Sequence, residues 1–128
     1  MEESQAMKIG YLCLLIACVL PIVATGIAKW GGKAFNNRRP REWLAQQQGY
    51  RLRANAAQAN SWEALAIFGF ALLAAYQRTA PSSTIDVLSV VFVVSRLLFL
   101  LFYLADIHLA RTAVWFVGFA ASLALFFI

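Results

Sequence analysis

Four apolar stretches alternate with short polar ones along this chain. Ile9–Ala28 has twenty residues and no charge, and Thr112–Ile128 has seventeen and no charge. Ala54–Tyr76 holds one charge, Glu63, and Val87–Ala105 holds one, Arg96. Each is near the ~20 residues that cross ~30 Å of hydrocarbon at about 1.5 Å per residue. In lipid the backbone must satisfy itself, so only helices and closed barrels span it. These runs are too long and too evenly apolar for barrel strands. The pattern predicts an all-α integral membrane four-helix bundle, a single domain over 1–128. Its helices are expected at about 8–28, 50–77, 85–106 and 110–128, with a loop over about 29–49.

The polar intervals carry the turn chemistry. Gly31-Gly32, Asn36-Asn37 and Pro40 are turn formers in the long loop, and the composition of Arg41–Arg51 permits a helix running on towards the second span. Pro81-Ser82-Ser83 is a polar turn, with Ser83 or Thr84 expected to cap the third helix. Asp106–Arg111 reads as a tight helix–helix turn. Pro21 is expected to kink the first helix. The start Met1-Glu2-Glu3 is acidic where a signal peptide is basic, and the first span is read as a mature helix.

Composition agrees with the pattern: 62% of the 128 residues are hydrophobic and 13% charged, against about 25% charged in soluble domains. The net charge of +5 has a location. Lys29, Lys33, Arg38, Arg39, Arg41, Arg51 and Arg53 face only Glu42 in that stretch. Nucleic-acid binding is a poor reading of a loop between two membrane spans. Positive-inside topology places it in the cytoplasm with both termini on the other side, where the loop would also meet anionic lipid. Cys13 and Cys18 lie five apart on different faces of one span and imply neither disulfide nor metal site. Trp30, Trp43, Trp62 and Trp115 read as packing or interfacial anchors.

The polar residues inside the apolar spans change the picture most. A charge in hydrocarbon costs roughly 2.5–3.5 kcal/mol on insertion scales, so it faces a partner, cavity or ligand. Helical phase puts Arg53, Asn60 and Glu63 on one stripe with Ala56 between them, and Arg96 and Tyr103 on another with Phe99 between. Glu63 is ten residues inside Arg53 and Arg96 ten inside Asp106. Both charges therefore sit about 15 Å from the basic end and should face each other, directly or across a ligand. A direct Arg96–Glu63 pair that only fixes helix register is one account. A polar pocket opening on the basic face also accommodates Asn60, Arg53, Tyr103 and Arg111. Several cations, one carboxylate, an amide and a phenol suit a small zwitterion bearing carboxylates, without naming it.

The segment Arg53-Ala54-Asn55-Ala56-Ala57-Gln58-Ala59-Asn60-Ser61-Trp62-Glu63-Ala64 resembles the second-helix motif of the MAPEG family, membrane-associated proteins in eicosanoid and glutathione metabolism. Arg96 followed by Tyr103 looks like that family's third-helix motif, and Arg111-Thr-Ala-Val-Trp115 like the opening of its fourth helix. The resemblance implies a homotrimer with glutathione, as co-substrate, held between subunits on the cytoplasmic side. It implies Arg53, Asn60, Glu63, Arg96 and Tyr103 as glutathione-binding residues and Arg111 as the catalytic partner of the sulfur, with no metal. The chain looks most like bacterial members, which implies an inner-membrane location. Two positions depart from the pattern of many eukaryotic members: Ala56 stands for an Arg and Phe99 for a Tyr.

The activity implied is that of a membrane-bound glutathione transferase, joining a thiolate to lipophilic electrophiles or reducing peroxides. The alternative is a non-catalytic MAPEG-fold protein that binds lipid or acts as a scaffold. Arg111 by itself also suits a topology or snorkelling residue at a helix end, and His108 a solvated loop histidine. A small multidrug exporter of similar length needs a carboxylate in its first span, which Ile9–Ala28 lacks.

Overall fold

The computed structural model describes residues 6–128, so the acidic start Met1-Glu2-Glu3 lies outside the described residues. Those residues form five helices and no strand: α1 (Ile9–Lys29), α2 (Pro40–Ala45), α3 (Tyr50–Gln77), α4 (Ser82–Leu104) and α5 (His108–Ala124). The expected count of four is thus corrected to four long helices and one short one inside the loop. Helices α1, α3 and α4, with 21, 28 and 23 residues, are long and apolar enough to cross a membrane. At 17 residues α5 is shorter, about 26 Å.

The buried side of α1 is Gly10, Cys13, Ala17, Leu20, Pro21, Ala24 and Ala28, one stripe at steps of three and four. Its small residues let α1 lie close on Ala54 and Ala57 of α3, as membrane helices do. Leu12, Leu15, Val19 and Ile22 point outward, as do Val87, Val90, Val94 and Leu101 of α4. An apolar outer face is what lipid requires of a bundle. Pro21 does not break α1, which runs through it as one helix with Pro21 buried. Cys13 is buried and Cys18 exposed, both as free thiols.

Helix α4 packs on α5 and α1 on α3 most extensively, and α1 and α3 both also reach α4. At the centre Phe68 of α3 and Phe92 of α4 stack at 4.1 Å with rings 4° from parallel. At the basic end α2 seals the bundle. Trp43 and Leu44 are buried with Ala28 and Ala54, and the Trp43 Nε1–H donates to the Lys33 carbonyl at 3.1 Å. Gly32 gives the indole its room, since a Cβ there would meet the Trp43 ring.

Helix boundaries depart from expectation where backbone conformation decides them. The helix permitted over Arg41–Arg51 stops at Ala45, and α3 starts only after Gly49, which has φ 65°. That left-handed conformation suits glycine and separates the two helices. Helix α4 begins at Ser82 with Pro81 before it and no side-chain cap, so neither Ser83 nor Thr84 has the capping role expected. The α4–α5 turn is tighter than its sequence indicated. Asp106 takes φ 61°, a conformation aspartate tolerates, and His108 is already the first residue of α5.

Candidate functional site

Helix α3 leaves the basic end of the bundle, α4 returns to it and α5 leaves it again. The first half of α3, the second half of α4 and the first half of α5 therefore lie side by side. Two cavities open between them. The deeper, about 50 Å³, is lined by Asn60, Glu63, Phe92, Arg96, Trp115 and Ser122 among others. The one nearer the basic end, about 240 Å³, is lined by Asn60, Phe99, Tyr103, Arg111, Thr112 and Trp115. Asn60 and Trp115 belong to both walls, so the cavities are neighbours.

Arg96 is 4% exposed. Its Nη2 donates to Ser61 Oγ at 3.4 Å, while the Ser61 hydroxyl donates to the Ala57 carbonyl at 2.8 Å. The guanidinium lies 4.1 Å from the centre of the Phe99 ring. The direct Arg96–Glu63 ion pair does not form: among the described residues the one ion pair is Arg39–Glu42, at 3.6 Å and exposed. Arg96 and Glu63 instead line one cavity, and Glu63 is exposed on the single chain. Equal depth places two residues at one level but leaves their facing angle open.

From Arg96 a ladder of rings and cations climbs towards the basic end. Phe99 meets Tyr103 edge to face at 5.4 Å, and the Arg111 guanidinium sits 4.2 Å from the centre of the Tyr103 ring. Arg111 is thereby fixed over the upper cavity by a cation–π contact, worth about 0.5–2 kcal/mol. Two buried acceptors complete the walls. Asn60 Oδ1 and Ser122 Oγ have no hydrogen-bond partner, and a buried polar atom left unpaired costs about 1–3 kcal/mol. Both atoms belong to residues lining the deeper cavity.

Of the six residues singled out in the sequence, five line these cavities: Asn60, Glu63, Arg96, Tyr103 and Arg111. Arg53 does not. Its Nε and Nη2 both donate to the carbonyl of Leu104, at 3.3 and 3.1 Å. His108 is exposed at the start of α5. Trp115, read from sequence as an anchor, is part of the site instead, and Gly118, Phe119 and Ser122 join it. The signal for them was present: they follow Arg111 at steps of four, three, one and three, a single helical face.

The arrangement offers two guanidiniums, a carboxylate, an amide oxygen and a phenol around adjoining spaces, with aromatic walls that exclude water. It can hold an anionic or zwitterionic ligand and stabilise negative charge beside Arg111. Among curated proteins and among solved structures no match was found. A family model for the MAPEG family matches residues 9–128, from the first residue of α1 to Ile128, and the chain belongs to that family.

Proposed function

We propose that this protein is a membrane-bound glutathione transferase that joins the tripeptide's thiolate to lipophilic electrophiles, with peroxide reduction by the same thiolate as a second reaction. MAPEG membership, which takes in glutathione transferases and related proteins, supports the class. The observation that carries the reading is Arg96: a buried guanidinium with no carboxylate within 4.0 Å, lining a cavity with Asn60 and Glu63. Such a cation is costly in lipid unless an anion meets it. A tripeptide carboxylate supplies that anion in fork geometry, and Glu63 suits its ammonium group.

In this reading Arg96, Asn60, Glu63 and Tyr103 hold the tripeptide, and Arg53 positions α4 through Leu104 rather than touching the ligand. Arg111 stabilises the thiolate. The thiol proton leaves to solvent at the basic face, the sulfur lone pair forms a bond to the electrophilic carbon, and the leaving group departs with its electron pair. Ligand pockets run to about 300–1,000 Å³, and the upper cavity of about 240 Å³ falls short of that. In this reading a second copy completes the site, as in a homotrimer of four-span subunits. The basic loop 29–49 lies in the cytoplasm of a bacterial inner-membrane protein, with both termini outside. The electrophile enters from the lipid.

Calorimetric titration of the detergent-solubilised protein with glutathione tests this, with Arg96→Leu as control. Heat is expected from the parent protein and none from the variant. No heat at millimolar glutathione would sink the binding claim. Turnover of chlorodinitrobenzene, with a peroxide as second substrate, separates an enzyme from a lipid-binding scaffold of the same fold.

A further inference from the structure

The far end of the bundle, away from the basic loop, holds a second polar site that the glutathione reading does not use. The N-terminal end of α1, the C-terminal end of α3 and the start of α4 enclose an open recess of about 670 Å³. Lys8 and Asp86 both line it, with Tyr76 and Thr79 between them in the wall and Met7 and Ile9 at the α1 side. Among the described residues neither Lys8 nor Asp86 has an ion-pair partner within 4.0 Å. Asp86 is half-buried. The Lys8 ammonium sits 4.6 Å from the centre of the Tyr76 ring. The Tyr76 hydroxyl is buried with no hydrogen-bond partner, seated where Gly10 has no side chain: a Cβ at Gly10 would meet it. The other cation of this end, Arg78, is occupied, since its Nη2 donates to the carbonyls of Leu125 and Ile128 at 2.9 and 2.7 Å.

One recess thus presents one cation and one carboxylate beside the Tyr76 ring, at the end of a bundle whose outer face is apolar. A purely anionic ligand would meet Asp86 with repulsion, and a purely cationic one would meet Lys8. The lining is complementary to a zwitterion. We propose that this recess binds the phosphoethanolamine headgroup of a phospholipid. Lys8, held over the Tyr76 ring, faces its phosphate, and Asp86 accepts hydrogen bonds from its primary ammonium. The lipid, rather than the free zwitterion, is the source because Met7 and Ile9 are 62% and 46% exposed beside the polar groups. They offer apolar surface to acyl chains. A primary ammonium has three N–H donors for a carboxylate and a quaternary one has none, so the recess should separate ethanolamine from choline headgroups.

Native mass spectrometry of the full chain, titrated with dioleoyl lipids in detergent, tests this. Phosphatidylethanolamine is expected to bind about tenfold tighter than phosphatidylcholine and tighter than phosphatidylglycerol. Asp86→Asn should remove the preference over phosphatidylcholine, and Lys8→Gln should weaken both zwitterionic lipids. Lys8 is exposed, so its variant remains informative if Asp86→Asn lowers the yield of folded protein. Equal affinity for ethanolamine and choline lipids overturns the proposal, as does tighter binding of phosphatidylglycerol. Unchanged selectivity in folded Asp86→Asn overturns it too. O-phosphoethanolamine free in solution should bind much more weakly, and equal affinity would overturn the assignment to a lipid.

Discussion

Arg53 of α3 holds the last carbonyl of α4: its Nε and Nη2 converge on the Leu104 oxygen at 3.3 and 3.1 Å. That oxygen is among the four carbonyls a helix leaves without an internal partner at its C-terminus. The guanidinium therefore ties two helices together at the mouth of the site. Arg53→Met is expected to destabilise the protein by about 1–2 kcal/mol, within the range for hydrogen bonds to charged groups and discounted for partial exposure. Glutathione affinity should fall less than it does for Arg96→Leu. Thermal unfolding in detergent, run beside calorimetry, checks both. A large affinity loss with unchanged stability would return Arg53 to the ligand.

For Arg96 the opposite pattern is expected. No carboxylate balances this buried guanidinium, and its one hydrogen bond, to Ser61, is long at 3.4 Å. Replacing an unbalanced buried charge with an apolar side chain of similar volume is often neutral or stabilising. Arg96→Leu should therefore hold or raise the unfolding temperature while weakening glutathione binding at least tenfold. A marked loss of stability would show that the charge serves the fold.

These two arginines mark what the sequence could reveal. Helix length, the apolar spans and the polar stripes follow from residue type and the 3.6-residue period, and that period brought Asn60, Glu63, Arg96, Tyr103 and Arg111 to adjoining cavities. The contact of Arg53 with Leu104 was not legible, because its partner is a backbone carbonyl and every residue type has one. Whether Glu63 and Arg96 meet directly or across a space stayed open in the sequence, because periodicity fixes phase along one helix but not the facing angle of two helices; they line one cavity without a direct pair. The break between α2 and α3 was hidden for a third reason: α3 begins only after the left-handed Gly49, while composition alone allowed the helix of Arg41–Arg51 to continue.

Gly118 sets how closely α5 approaches α4. A Cβ there would lie 2.5 Å from Ser95 Oγ and 3.8 Å from Phe92 Cδ1. Ser95 can turn aside only by giving up its bond to the Phe92 carbonyl, 2.6 Å long. Gly118→Ala is expected to cost about 1 kcal/mol, the net value of one such bond. Ser95→Ala should relieve the contact, so the double variant is more stable than the sum of the single changes. Unfolding measured over the four proteins of the cycle tests the coupling, and strict additivity would refute it.

Arg111 and Tyr103 act as a unit, with the guanidinium 4.2 Å from the ring centre. A free cysteine thiol has a pKa of about 8.5, and a nearby cation lowers it by favouring the thiolate. If Arg111 faces the bound sulfur, the pH profile of conjugation has its rising limb below that value. Arg111→Ala should move the limb up in pH and abolish the rise in thiolate absorbance on adding glutathione. Tyr103→Phe keeps the ring under the cation and should leave the limb in place, whereas Tyr103→Ala should shift it upward. An unmoved limb in Arg111→Ala would reduce Arg111 to a residue that snorkels at a helix end.

Glu63 poses a problem that a single chain does not solve. It lies mid-way along a membrane-capable helix and is exposed, and lipid is a poor neighbour for a carboxylate. In the proposed assembly a second copy covers it. Ala59 and Ala66 are exposed on the same helix, as are Trp62 at 44%, Phe70 at 70% and Leu73 at 49%. Ala59, Ala66 and Leu73 are seven apart, with Trp62, Glu63 and Phe70 between them, which is the repeat of a helix that packs against copies of itself. Small residues at Ala59 and Ala66 permit close approach of backbones. For the proposed homotrimer the mass of the intact assembly is expected to be that of three chains. In a Cys13→Ala, Cys18→Ala background, Ala66→Cys should form disulfide-linked pairs of chains on mild oxidation if these positions meet between copies, as the proposed trimer requires. Monomer mass together with an Ala66→Cys thiol that stays uncrosslinked would leave Glu63 facing lipid, and the two-copy glutathione site would have no second wall.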